Sequence, residues 1–232
     1  MMKRISKYHT EPERYHTGIN KGLTLFFACC ILWWIGGSAL LFLSDKEEIY
    51  RYINIRHSRF LDGLMPLVSD MGTAPLIIGA CLLLIAFRRQ FRSWGFVLMA
   101  LLCNGIPFLV CRAIKYAINA PRPLGYFNKA EWMHLVKGQP EQYYYSFPSG
   151  HTAGAFAFYC FLSLLLPDSK RYMSILFFFI AMAVAYSRIY LSQHFYDDVY
   201  AGSMVGALTC LCVFLLLRRV IPVYPKTAGQ NR

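Results

Sequence analysis

Three short stretches of this sequence carry residues able to do chemistry, and each lies at the edge of an apolar run. KYAINAPRP, residues 115–123, holds Lys115 and Arg122; YSFPSGHTAG, residues 145–154, holds Ser149, Gly150 and His151. SRIYLSQHFYDD, residues 187–198, holds Arg188, His194 and Asp198. Lys115, Arg122 and Arg188 have no comparable cluster of acids, and burying unpaired cations together is costly. One account is that these long side chains snorkel to lipid headgroups. The other is that their partner is a multiply charged anion, and a phosphate matches the forked geometry of arginine. Ser149 and the backbone of Gly150 and His151 precede the apolar run AFAFYCFLSLLL. A helix beginning there adds donors, because its first N–H groups lack intrahelical partners and favour an anion.

Two histidines complete the pattern. His194 and Asp198 are four residues apart, a spacing that puts both on one face of a helical turn. A carboxylate accepting from one ring nitrogen fixes the tautomer and leaves the lone pair of the other nitrogen free. That is the requirement for a nucleophile at phosphorus. His151, from a different segment, is then the group to protonate the leaving oxygen and later activate the hydrolytic water. His9, His16 and His57 read as ordinary polar residues, His134 is unassigned, and Asp197 reads as a cap or first-turn acid.

These residues need a scaffold, and composition indicates a membrane. Hydrophobic residues make up 56% of the 232, charged residues 16%, and the mean hydropathy is +0.38. A soluble domain carries about a quarter charged residues. The formal net charge of +12 taken alone would suit nucleic acid, but the basic residues cluster at the ends of apolar segments. That is the pattern of the cytoplasmic side of a bilayer protein, so no nucleic-acid partner is expected. The eight cysteines lie in or beside apolar runs, without metal-ligand spacing in a polar loop. They read as small buried hydrophobes, and no metal or cofactor is expected.

The hydropathy pattern predicts an all-α polytopic membrane protein with six transmembrane helices, the spans being residues 22–42, about 71–87, 94–118, 152–166, 173 to about 190, and about 199–217. Residues 1–21 form an N-terminal segment and 218–232 a tail, flanking a membrane domain over 22–217. No cleavable signal is evident, so the first span reads as a retained helix. Trp33 and Trp34 sit near its middle and are expected to pack against other helices. Within residues 49–67 apolar and charged positions interleave, as in an interfacial amphipathic helix or a re-entrant turn, with a plain solvated linker as the alternative. Gly105-Ile106-Pro107 permits a kink in the third span.

Lys3, Arg4, Lys7, Arg14 and Lys21, then Arg88, Arg89 and Arg92, then Lys170 and Arg171, and finally Arg218, Arg219, Lys226 and Arg232 all fall on one side in a six-span arrangement. Lysine and arginine prefer the cytoplasm, which places both termini there and the three polar stretches on the external face.

All three stretches resemble the signature of the type 2 phosphatidic acid phosphatase (PAP2) superfamily. K-x6-R-P is matched by Lys115, Arg122 and Pro123; P-S-G-H by Pro148, Ser149, Gly150 and His151; S-R-x5-H-x3-D by Ser187, Arg188, His194 and Asp198. The resemblance covers residues 22 to about 217. It implies a PAP2-like helical bundle, with His194 as the nucleophile that forms a phosphohistidine, Asp198 as its orienting carboxylate, and His151 as general acid and base. It also implies a phosphate clamp of Lys115, Arg122, Ser149, Gly150 and Arg188, and hydrolysis without a metal.

Membrane embedding favours an amphipathic phosphate ester (phosphatidic acid, phosphatidylglycerophosphate, undecaprenyl pyrophosphate or a lipid A phosphate) over the alternative of a sugar phosphate, which would not require a membrane setting. Transfer of the phosphoryl group to a second lipid is an alternative chemistry, and an anionic-lipid transporter is an alternative class. The expected partners are the bilayer and its lipid phosphates, with no obligate protein partner. The expected location is a bacterial inner membrane, with the site facing the periplasm; an endoplasmic reticulum also fits.

Overall fold

A computed structural model describes residues 19–88 and 91–221. Lys3, Arg4, Lys7, Arg14, Arg89, Lys226 and Arg232, on which part of the sidedness argument rests, lie outside those residues. So does the tail from residue 222. The described residues form helices and no strands: α1 (Lys21–Leu43), α2 (Lys46–Asn54), α3 (Arg59–Asp70), α4 (Ala74–Phe87), α5 (Trp94–Ile118), α6 (Pro123–Tyr126), α7 (Gly150–Leu164), α8 (Met173–Tyr190) and α9 (Tyr196–Leu217). A 3-10 turn spans Asp168–Lys170.

Helices α1, α5, α8 and α9 are each long and apolar enough to cross a bilayer. The second expected span is not one straight helix. Its apolar part is α4, and α3 precedes it across a 61° bend; counted together they make a fifth membrane-capable unit. The break has a local cause. Thr73 is the N-cap of α4 and Pro75 stands in its first turn, where its missing N–H costs nothing and its ring favours a helix start. Gly72 lies in the bend, and a Cβ there would sit 2.3 Å from the carbonyl oxygen of His151. The bend therefore presses against the start of α7. The interleaved stretch over residues 49–67 becomes the end of α2 and most of α3.

The fourth expected span is also shorter than a full crossing. Helix α7 has 15 residues, and starts earlier than expected because Ser149 caps it, its hydroxyl accepting from the Thr152 amide at 3.4 Å. It is the buried centre of the bundle, packed by α1, α5, α8 and α9. The crossing with α9 is so close that a Cβ at Gly206 would meet the Ala153 oxygen at 2.2 Å. Small residues allow such backbone approach inside a membrane.

Asn20 ties the far end of α7 to the beginning of α1. Its Oδ1 accepts from the Leu23 amide at 2.7 Å, while its Nδ2 donates to the carbonyls of Ser163, Leu164 and Leu166 at 3.1, 3.0 and 2.8 Å. One side chain thus supplies partners to orphan groups at both helix ends. Trp33 and Trp34 pack on α9 as expected, both indole N–H groups donating to Ser203 Oγ at 3.2 and 3.0 Å. Helix α5 continues through Pro107. The cysteines are free; Cys30, Cys103, Cys111, Cys160 and Cys210 are buried as expected, Cys29 and Cys81 are half-buried, and Cys212 is exposed.

Candidate active site

Five helix ends and two loops meet around a cavity of about 810 Å³. Its polar end is lined by Lys115 near the end of α5, Arg122 ahead of α6, Gly150 and His151 at the start of α7, Arg188 near the end of α8, and His194 between α8 and α9. Six of the eight residues singled out from sequence therefore share one wall. Ser149 and Asp198 do not reach it and lie fully behind it, 0% and 2% exposed. The Ser149 hydroxyl serves as the cap of α7, and its amide donates to the Asp198 carbonyl at 2.9 Å. Ser149 thus caps α7 through its side chain and ties α7 to α9 through its amide.

Each cation is tethered through some of its donors, with others left over. Lys115 Nζ donates to the carbonyls of Tyr145 and Ser146. Arg122 Nε donates to the Tyr144 carbonyl at 3.0 Å, and its Nη1 to Gln193 O and Oε1 at 3.2 and 3.1 Å. Arg188 Nη1 donates to Ser69 Oγ on α3, while its Nε is buried without a partner. The backbone amides of Gly150 and His151 likewise have no hydrogen-bond partner among the described residues. The guanidinium of Arg188 and the free amides of a helix N-terminus, lining one cavity, form a site for an oxyanion.

The histidine–carboxylate pair is close but is not built on a helical turn. His194 precedes α9, and Asp198 occupies the third position of that helix. The chain reverses out of α8 through Ser192, which has a positive φ of 58°, and the amides of Gln193 and His194 return to the Arg188 carbonyl. His194 Nδ1 then lies 3.3 Å from Asp198 Oδ2. The same oxygen accepts from the Phe195 amide at 2.8 Å, which also caps α9. His194 is 1% exposed. Burial, followed by the positive charges of Arg122, Lys115 and Arg188 and by His151, holds its proton affinity well below the ordinary histidine value. The ring is therefore neutral at physiological pH, with Nε2 able to keep its lone pair once Nδ1–H faces the carboxylate.

Two functional neighbours were missed in the sequence. Ser146 Oγ donates to Asp198 Oδ2 and lies 3.3 Å from His194 Nδ1; it stands inside the YSFPSGHTAG stretch, three residues before the capping serine, and that proximity was its one signal. Ser69 offered none, being a serine in a mixed segment 119 positions from its arginine. The remaining histidines in the described residues stay away from the cavity. His57 and His134 stack face to face at 3.7 Å, and His134 Nε2 pairs with Asp62 at 2.7 Å. His9 and His16 lie outside the described residues.

Beyond the polar end, the cavity continues along apolar side chains of α4 and α5, among them Ile77, Cys81, Ile85, Val97 and Leu101. Among the described residues no group of three or more histidine, cysteine or acidic side chains is arranged to hold a metal ion.

The comparisons with known proteins agree with this geometry. A family profile described as the PAP2 superfamily matches residues 93–222. The lipid A 4'-phosphatase of Bacteroides thetaiotaomicron is 37% identical over 202 residues, covering 82% of this chain and 88% of that protein. The undecaprenyl-diphosphatase of Sulfolobus acidocaldarius is 32% identical over 164 residues, covering 69% and 72%. The fold is similar to the crystal structure of a transmembrane PAP2-type phosphatidylglycerolphosphate phosphatase from Bacillus subtilis, with a TM-score of 0.62 at 23% identity, covering 86% of this chain and 97% of that one. With apolar helices carrying a cationic, histidine-bearing cavity, the chain is an integral membrane lipid phosphatase and belongs to the PAP2 superfamily.

Proposed function

We propose that this protein hydrolyses a terminal phosphate or pyrophosphate of a membrane lipid through a phosphohistidine on His194. The observation that carries this reading is the two-part cavity. Cations and orphan amides occupy one end, and an apolar trough between α4 and α5 leads away from it. An amphipathic phosphate ester fits both parts at once, whereas a soluble sugar phosphate leaves the trough empty.

In the first step His194 Nε2 attacks phosphorus, and the bond to the ester or bridging oxygen breaks. Lys115, Arg122, Arg188 and the amides of Gly150 and His151 hold the equatorial oxygens, where charge is spread in the transition state. His151, in its protonated form, gives its proton to the departing oxygen. Asp198 holds Nδ1–H of His194 and balances the charge of the phosphorylated ring. In the second step His151, now neutral, takes a proton from a water molecule. The water oxygen attacks phosphorus, the P–N bond breaks, and inorganic phosphate is released with His194 restored.

The candidate substrates are a prenyl diphosphate, a lipid A phosphate and phosphatidylglycerophosphate, after the names of the relatives and of the similar structure. Six spans, cytoplasmic termini and an external, periplasmic site are part of the same proposal, with α3–α4 as the broken second span and α7 as the short fourth. Asn20 supports it, since it binds the start of α1 to the end of α7 opposite His151. Phosphate release from a panel of these lipids in detergent tests the chemistry. The expected result is turnover of at least one lipid and none above background for His194→Ala; no turnover of any of them sinks the reading. An impermeant thiol reagent tests the orientation: Ala130→Cys is expected to label from outside, and labelling from the cytoplasm alone reverses it.

A further inference from the structure

The Ser146 hydroxyl sits at a junction that the mechanism above does not use. It is completely buried, and its oxygen lies within hydrogen-bond distance of both members of the His194–Asp198 pair. Its backbone is held on both sides. The Ser146 amide donates to the Ala120 carbonyl at 2.9 Å, and its carbonyl accepts from Lys115 Nζ at 3.0 Å. A side chain clamped this way has little freedom to look elsewhere for a partner.

We propose that Ser146 is the positioning residue that sets the tautomer of His194. A hydroxyl has one proton to donate and two lone pairs with which to accept. The short contact to Asp198 Oδ2 takes the proton, because a carboxylate is an acceptor only and a charge-assisted bond is the stronger choice. The Ser146 oxygen therefore turns its lone pairs to His194 Nδ1 at 3.3 Å. Nδ1 faces two acceptors, Asp198 Oδ2 and Ser146 Oγ, both at 3.3 Å. With acceptors on that side alone, the proton of the neutral ring belongs on Nδ1, and Nε2 carries the lone pair that attacks phosphorus. Asp198 by itself is a weaker determinant, since its Oδ2 already accepts from the Phe195 amide and the Ser146 hydroxyl. The serine also couples tautomer to charge. If Asp198 becomes protonated, the Ser146 proton is released to turn toward Nδ1, which places the ring proton on Nε2 and closes the nucleophile.

This inference rests on His194 being the nucleophile, so the test carries both questions. Purified Ser146→Ala, Ser146→Thr, Ser146→Cys and His194→Ala are compared with wild type for lipid phosphate turnover between pH 5 and 8. Loss of an outer hydrogen-bond partner of a functional histidine lowers activity about 10- to 100-fold. Ser146→Ala is expected to lose that much in kcat with KM within about threefold, and its acidic limb is expected to move to higher pH. Ser146→Thr, which keeps the hydroxyl, is expected to stay within about threefold of wild type. Should the alanine variant not fold, Ser146→Cys, of similar size but a poor acceptor, is expected to show the same kcat loss. Wild-type kcat in both the alanine and cysteine variants overturns the proposal. An equal fall in the threonine and alanine variants, with an unmoved acidic limb, overturns it in favour of simple packing. Activity surviving in His194→Ala removes the nucleophile reading itself, whatever the serine variants do.

Discussion

Arg188 and Ser69 join across 119 positions of chain, the guanidinium Nη1 donating to a hydroxyl at the end of α3 that is itself 2% exposed. This bond brings the broken α3–α4 unit into the phosphate site. It also fixes the guanidinium at the cavity wall, where Arg188 is among the lining residues. A hydrogen bond to a charged group contributes about 1.5–3 kcal/mol. Ser69→Ala is expected to lower kcat/KM about 10-fold or more and to lower stability by about 1–3 kcal/mol, because a buried arginine donor loses its partner. Steady-state kinetics checks this, and an unchanged kcat/KM would show that Arg188 is held by packing alone.

The two histidines have separable roles. His194→Ala is expected to abolish both phosphoenzyme and turnover. His151→Ala is expected to lose about 100- to 10,000-fold on an alkyl phosphate, the usual value of general acid–base help. It should lose much less on an aryl phosphate, whose leaving oxygen needs no proton. Rapid-quench trapping of labelled phosphate measures this, and label retained by His194→Ala but absent from His151→Ala would reverse the assignment.

Acid stability follows from the burial of His194. Its folded proton affinity lies well below the unfolded value near pH 6.5, through burial first and the neighbouring cations second. As pH falls through about 6.5, the unfolded chain takes up a proton that the folded chain refuses, so this residue's contribution to stability declines toward acid. Thermal unfolding at pH 7.5 and 5.5 is expected to show a smaller acid-induced drop in Tm for His194→Gln than for wild type. Equal drops in the two proteins would contradict the burial argument.

The trough between α4 and α5 gives a test of lipid selection. Cys81 lines it well away from the histidines in sequence and is half-buried. Cys81→Trp fills the trough. It is expected to lower kcat/KM for a long-chain lipid phosphate about 10-fold or more, because the tail can no longer orient the phosphate. A short aryl phosphate should remain within about twofold. A parallel loss on both substrates would mean that the tail binds elsewhere.

Much of the site was legible because its residues have unusual chemistry for their surroundings. Lys115, Arg122, Arg188 and the histidines are polar groups at the ends of apolar runs, where desolvation makes an unexplained charge conspicuous. The supporting serines have no such contrast. Ser146 and Ser69 are short, neutral and common, and only the fold brings them to Asp198 and Arg188. The His194–Asp198 pair was legible as a pair but not as a geometry, since spacing alone does not reveal that a left-handed Ser192 delays the start of α9 until Tyr196. In the fold, hydropathy located the long helices because a bilayer demands length. It did not join α3 to α4, because the bend between them arises from Pro75 and from the contact of Gly72 with His151, neither of which alters hydropathy.

The shortness of α7 separates the fates of the two products. Fifteen residues rise about 22 Å, against roughly 30 Å of hydrocarbon, so a helix seated at the inner boundary ends short of the outer one. In the proposed orientation His151, at that end, works from a recess below the membrane surface. On the proposed topology the dephosphorylated lipid leaves into the bilayer along the apolar trough between α4 and α5, while inorganic phosphate leaves past the polar lining at Gln139 and Gln142. Each exit answers to its own reservoir. The aqueous phosphate concentration sets one back-reaction and the mole fraction of lipid product in the leaflet sets the other, so the enzyme runs as a valve between two phases.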